Sequence, residues 1–298
     1  MNANKDFKCS GSYSEGIPAE LLEITGYHFP QAHTDMMALS CLAREMKKRK
    51  NESICRLPFC LTIEAGAMGA DIKLDDMKNG PRVREYVFTR IEEIESIPQI
   101  NFHQGRIKAV LDSVVYLCSH NETVALNIEG PFTILSSLIE PKILYKAIRK
   151  EHQSILRGLE IIEKNIISYA LQGIEKGVKI VSYADPVGAI DIIGPQIYRQ
   201  HSGRVTYNIL KKLTDISHNT VIHLCGKTST ALEKHGFCRS VRQDYEDTIT
   251  YGEALSHLIN DRELTQIIGH SCFRQIAWKR KAPKIWEIKL NNPPLTPQ

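Results

Sequence analysis

Two short segments of this chain pair a histidine with a cysteine two residues on: His223-Leu224-Cys225 and His270-Ser271-Cys272. Imidazole and thiolate together suit zinc, a borderline-soft ion, better than magnesium or calcium, which take oxygen ligands. Each pair closes a short apolar run of the kind that forms a strand. Residues i and i+2 of a strand point to the same side, so both donors of a pair can face one cavity. A catalytic zinc takes three protein ligands and leaves one position open. His223, Cys225 and one member of the second pair meet that requirement. Cys272 is preferred to His270, because a second thiolate makes the ion electron-rich and keeps a bound thiol in its reactive, ionised form. The competing reading makes His270 and Cys272 core or loop residues, since Cys is often simply buried.

The other cysteines are less suited to the task. Cys41 and Cys118 fall at apolar positions of helical stretches, Cys9 lies in a polar N-terminus, and Cys55 and Cys60 flank the first strand. Cys238 follows the helix after Cys225 and is the main substitute for Cys272. Eight cysteines in a chain without a signal-peptide pattern read as free thiols or metal ligands rather than disulfides.

The elements that must carry these residues alternate between short apolar runs and longer amphipathic stretches. Strands are predicted at Cys55–Ile63, Thr123–Ile128, Val178–Ala184, Thr220–Leu224 and Thr265–Gly269, with a long helix from Ile143 to Gly173. Residues 1–50 read as an N-terminal helical cap, and 51–298 as a barrel, in one domain overall. The alternation argues for an α/β fold with a parallel sheet. A length of 298 residues suits one (β/α)8 TIM barrel. The polar or small residues that end several strands then fall at the C-terminal mouth: Asn127-Ile128-Glu129-Gly130, Tyr183-Ala184-Asp185-Pro186 and His223-Leu224-Cys225-Gly226. An open doubly wound sheet would place them at a similar edge.

Hydrophobic residues make up 42% and charged residues 24%, as in ordinary globular proteins, and the net charge is +4. The basic runs at Lys47–Lys50 and Lys279–Lys281 are short, so nucleic acid is not an expected partner. No apolar run approaches the roughly 20 residues of a membrane span, so no membrane is expected and the predicted location is cytoplasmic. There is no G-x-G-x-x-G after a strand and no P-loop.

Several ordered motifs resemble the methylcobamide:coenzyme M methyltransferases of the uroporphyrinogen decarboxylase superfamily. The resemblance runs from about Gly26 to Gly236. It includes Phe29-Pro30-Gln31-Ala32-His33-Thr34, Arg56-Leu57-Pro58-Phe59-Cys60-Leu61-Thr62, Glu64-Ala65-Gly66-Ala67-Met68-Gly69-Ala70 and Gln104-Gly105-Arg106-Ile107. Further motifs are Glu129-Gly130-Pro131-Phe132-Thr133, Ala184-Asp185-Pro186-Val187 and, most specific, Val221-Ile222-His223-Leu224-Cys225-Gly226. It implies a TIM barrel with zinc at its mouth, held by His223, Cys225 and a later cysteine. It also implies a coenzyme M-like thiol bound to zinc as thiolate, and a methyl group supplied by a separate corrinoid protein.

The chain departs from that family after Cys225, where it is shorter by about one β/α unit. The run ending in Cys272 aligns with the penultimate strand of the family, so Cys272 is either a relocated ligand or no ligand. Lys284–Leu290 is expected to supply a closing strand. Glu129 and Asp185 are candidate catalytic residues, as partners of His223 or contacts to substrate; for each, and above all for Asp185, capping of the following helix competes. Glu64 and Asp71 are candidate pocket residues, Arg106 a candidate anion holder, and His33 a structural tie to the cap. The alternatives are a non-enzymatic relative that binds zinc or a corrinoid protein, and uroporphyrinogen decarboxylation. The latter lacks the N-terminal arginine-rich motif that would grip the substrate's carboxylates.

Overall fold

A computed structural model of the chain describes residues 16–74, 80–217, 219–244, 248–260, 266–273, 276, 279–281 and 284–292. Its centre is a seven-stranded sheet. The strands are β1 (Cys55–Leu57), β2 (Val124–Glu129), β3 (Ile180–Ala184), β4 (Val221–Cys225), β5 (Cys238–Asp244), β6 (Ile267–Ser271) and β7 (Lys284–Leu290). In space the order is β1-β2-β3-β4-β6-β7-β5. The first five of these pair in parallel, whereas β7 runs antiparallel to both β6 and β5.

The α/β class with a parallel central sheet is therefore present, but the described strands do not complete an eight-strand parallel ring. The order has two ends, β1 and β5, and no ladder joins them among the described residues. The segment Lys284–Leu290 is a strand within its expected bounds, yet it pairs with β6 and β5 rather than with β1. The strand β5 was not anticipated, because Cys-Arg-Ser-Val-Arg-Gln-Asp has the polar composition that a sheet edge tolerates. The first strand is also shorter than expected, for the chain turns after Leu57 and forms a short helix at Ile63–Ala67. The predicted helix from Ile143 to Gly173 is two helices, Pro141–Arg149 and Gln153–Glu175. Glu151 stands between them with a left-handed φ of 51°.

Strand residues alternate between two faces, as the pleat requires. One set (Leu57, Leu126, Ile128, Val181, Tyr183, Ile222 and Leu224) joins the large hydrophobic cluster with the helices Met36–Arg49, Gly105–Ser119, Gln153–Glu175 and Gly203–Ile216. The other face divides along the strands. Near their N-terminal ends Ile54, Ala125, Ile180, Val221 and Ile268 form a second cluster with Tyr251, Ala254, Leu255 and Leu258 of the helix Tyr251–Asn260. That helix covers apolar surface which the face would otherwise leave in water. Further along the same strands the residues turn polar: Arg56, Asn127, Glu129, Ser182, His223 and Cys225 line a cavity. No helix among the described residues is long and apolar enough to cross a membrane.

Candidate active site at the C-terminal strand ends

The cavity, about 140 Å3 in volume, is walled by residues that strand register stacks in layers. Asn127 pairs with Ser182, and Ser182 with His223, so these three form one layer across β2, β3 and β4. Glu129 pairs with Ala184 in the layer above, and Cys225 follows His223 by two residues on the same face. His223 and Cys225 both line this cavity, because β4 is a regular strand at these positions. Cys272, one residue beyond β6, also lines this cavity, as does Phe273. Cys238 does not: it is 3% exposed, sits in the large core cluster and pairs with Leu290.

His223 is 0% exposed, and neither ring nitrogen has a hydrogen-bond partner among the described residues. Its ring lies 4.8 Å from that of Phe273 and 5.8 Å from that of Tyr251. Burial pushes its pKa down to about 3, so the imidazole is neutral and carries a lone pair. A buried polar group without a partner costs on the order of 1–3 kcal/mol. The donor set of a neutral imidazole and nearby thiols matches zinc in type, and the unpartnered nitrogens of His223 are what an ion would satisfy. Among the described residues no three His, Cys, Asp or Glu side chains form a ready-made metal cluster, and no described cysteine forms a disulfide.

The second His-x-Cys pair is divided. Between His223 and Cys225 on β4 there is one residue, whereas between their partners Ile268 and Ser271 on β6 there are two. The extra residue makes a bulge, and His270 within it has a left-handed φ of 55°. Its ring leaves the cavity for the helix Gly226–Lys234, with Nδ1 3.2 Å from Thr230 Oγ1 and Nε2 3.2 Å from Glu233 Oε2. The backbone N–H of His270 donates to Ser229 Oγ at 2.8 Å.

Of the other candidates, Glu129 is in the cavity wall and 3% exposed. Asp185 is outside that wall. Its carboxylate accepts from the Phe132 and Thr133 amides, the Thr133 hydroxyl, the Gly188 amide and the Ser202 hydroxyl, at 2.8–3.5 Å. These bonds tie the first turn of the helix Pro131–Leu138 to the loop after β3, which is capping across two loops. Burial raises the Asp185 pKa while these donors oppose the shift. Glu64 is buried beside the wall, accepts the Glu129 amide at 2.9 Å, and is pushed up to about 7 by burial. Asp71 forms a bidentate pair with Arg84 on the ribbon of Asp71–Lys73 and Arg82–Glu85. Arg106 spans the His33 carbonyl, Thr62 and Cys60 Sγ, the last at 3.0 Å, and so links the turn Gln31–His33 to the loop after β1. His33 stacks on Phe29 at 5.3 Å, in keeping with a tie to the N-terminal cap. Cys9 lies outside the described residues.

The sequence reading underrated three wall residues: Cys60, Arg56 and Lys227. Arg56 is 8% exposed, and its Nη2 donates to both carboxylate oxygens of Glu52 at 2.9–3.0 Å. Its place in the period-2 pattern of the first strand, on the same face as Ile54 and Pro58, was the available signal.

The chain matches the model of the uroporphyrinogen decarboxylase family over residues 12–252. It is 27% identical to a methylcobamide:CoM methyltransferase of Methanosarcina barkeri, with 84% of this chain and 74% of that protein covered. A methylcobamide:CoM methyltransferase of Methanosarcina acetivorans is 24% identical, with 74% of this chain and 66% of that protein covered. Among solved structures, a methyltransferase from Methanosarcina mazei superposes with a TM-score of 0.65 at 24% identity. That superposition covers 74% of this chain and 67% of the other.

Proposed function

The chain belongs to the uroporphyrinogen decarboxylase family, and from that premise we propose that it is a zinc-dependent methyltransferase. It moves a methyl group from a methylated corrinoid protein to a small, coenzyme M-like thiol. One observation supports this reading above others: His223 and Cys225 enter the wall of the cavity that also holds Cys272, and the His223 nitrogens lack partners. The names of the relatives, which describe methylcobamide:CoM methyltransferases, agree with it. The (β/α)8 ring is the parent architecture we infer, from which the antiparallel β7 departs.

His223, Cys225 and Cys272 would hold the zinc. When bound, the ion supplies positive charge that lowers a thiol's pKa and gives its sulfur a fixed position. The chain's own residues supply the remaining functions. Glu129, in the wall one layer above His223, would take the thiol's proton on its carboxylate. Arg56 and Lys227 also line this wall, each held by a carboxylate, Glu52 and Asp191 respectively. Pro58, Phe59, Leu61, Ile128 and Phe273 present apolar surface, which limits water around the reacting sulfur. The corrinoid protein would dock over the strand ends, where the cavity lies.

The decisive measurement gives purified protein methylcobalamin and a panel of thiols, and follows the cobalamin spectrum with and without a chelator. Chelator-sensitive demethylation is the expected result. A second reading, a non-enzymatic relative that binds zinc or a corrinoid protein, draws on the incomplete ring of strands. Metal retention without demethylation of any thiol would support that reading over the enzyme.

A further inference from the structure

His270 is placed by more contacts than its own strand provides. The helix Gly226–Lys234 begins directly after Cys225, and Ser229, Thr230 and Glu233 from it meet the His270 amide, Nδ1 and Nε2 in turn. On the other side Trp286 of β7 meets the imidazole edge-on, with centroids 5.8 Å apart. Glu233 is itself held, since it accepts the Ser240 amide and hydroxyl of β5 at 2.9 and 2.6 Å. Gly269 lets the strand approach this helix, because a Cβ there would stand 2.6 Å from the Ser229 Cβ. The bulged turn, an αL conformation that L side chains seldom adopt, is thus fixed from three elements.

Two residues later Cys272 enters the cavity wall, and Phe273 next to it packs on the His223 ring. We propose that His270 is a positioning residue for Cys272: its imidazole, latched to Thr230 and Glu233, fixes the bulge from which Cys272 enters the site. The helix that starts at Cys225 thereby sets the second sulfur relative to the first. The reason for a metal here rests on the function proposed above; the placement of the thiol does not.

The test uses the full chain in two forms. In the metal-free protein, the rate at which iodoacetamide labels Cys272 is read by mass spectrometry, with Cys225 as internal reference. His270→Ala and Glu233→Gln should each raise the Cys272 rate several-fold, while His270→Asn restores it. Asn tolerates the left-handed turn and keeps a polar group toward Thr230. With cobalt(II) as the probe, His270→Ala should weaken binding roughly 10–100-fold and reduce the thiolate-to-metal absorption. In both His270→Ala and Glu233→Gln the Cys225 labelling rate should stay unchanged, which separates positioning from a general loss of structure. Unchanged Cys272 labelling in both His270→Ala and Glu233→Gln would overturn the inference. Failure of the unaltered chain to bind metal would overturn the proposed function and leave the labelling result to decide this one.

Discussion

The segments Val221–Cys225 and Ile267–Cys272 have nearly the same design in sequence, an apolar run that closes on His-x-Cys, and the fold treats them differently. In the first, a regular strand puts Val221, His223 and Cys225 on one face and gives Ile222 and Leu224 to the helices. In the second, one extra residue sends His270 toward Thr230 and Glu233 and leaves Cys272 alone of the pair in the cavity. A pattern of donor spacing is thus a statement about a face only while the strand stays regular. A single bulge reassigns every residue after it.

The sharpest way to break this comparison is to remove sulfurs one at a time. The proposed function predicts about one zinc per chain, lost in Cys225→Ser and in Cys272→Ser but kept in Cys238→Ser, as measured by elemental analysis. Loss in Cys238→Ser with retention in Cys272→Ser would place the third ligand on β5 instead. Metal removal comes next in size. At an ion concentration 100-fold above its Kd, binding to the folded chain alone stabilises it by about 2.7 kcal/mol, so a chelator should lower the melting temperature accordingly. An unchanged melting curve would deny that the site is filled.

A smaller effect is expected at the bulge itself. Gly269→Ala puts a Cβ against Ser229, and overpacking of this kind costs about 2 kcal/mol in urea unfolding. A neutral result would mean that the helix Gly226–Lys234 yields and does not fix the second segment. The smallest effect is of opposite sign. In metal-free protein, His223→Leu should stabilise the fold by about 1 kcal/mol, because it removes two buried nitrogens without partners from the cavity wall. Destabilisation there would show that the imidazole is already satisfied, and the contrast between the two histidines would narrow.

Where the sequence could be read, it was read through local periodicity. Asn127, Glu129, His223 and Cys225 stand at strand ends that alternating apolar residues mark out, and all of them line the cavity. Asp185 has the same sequence context and was a candidate for the same reason. Its carboxylate instead serves the amides of a different loop, a contact between residues 52 and 53 positions apart in the chain. The helix Tyr251–Asn260 is a comparable case. Its apolar residues mark an amphipathic helix, but nothing local says that it covers the face of the sheet beneath the cavity.

The α/β alternation, the family, and the shared face of His223 and Cys225 were legible along the chain, because each depends on order and spacing among nearby residues. It took the folded chain to fix that β7 runs antiparallel to both its neighbours, that His270 turns to a neighbouring helix, and that Cys272 reaches the wall which Cys238 does not. These outcomes come from packing between distant segments. The same residues could satisfy their hydrophobic and hydrogen-bonding needs in more than one arrangement until the rest of the chain closed around them.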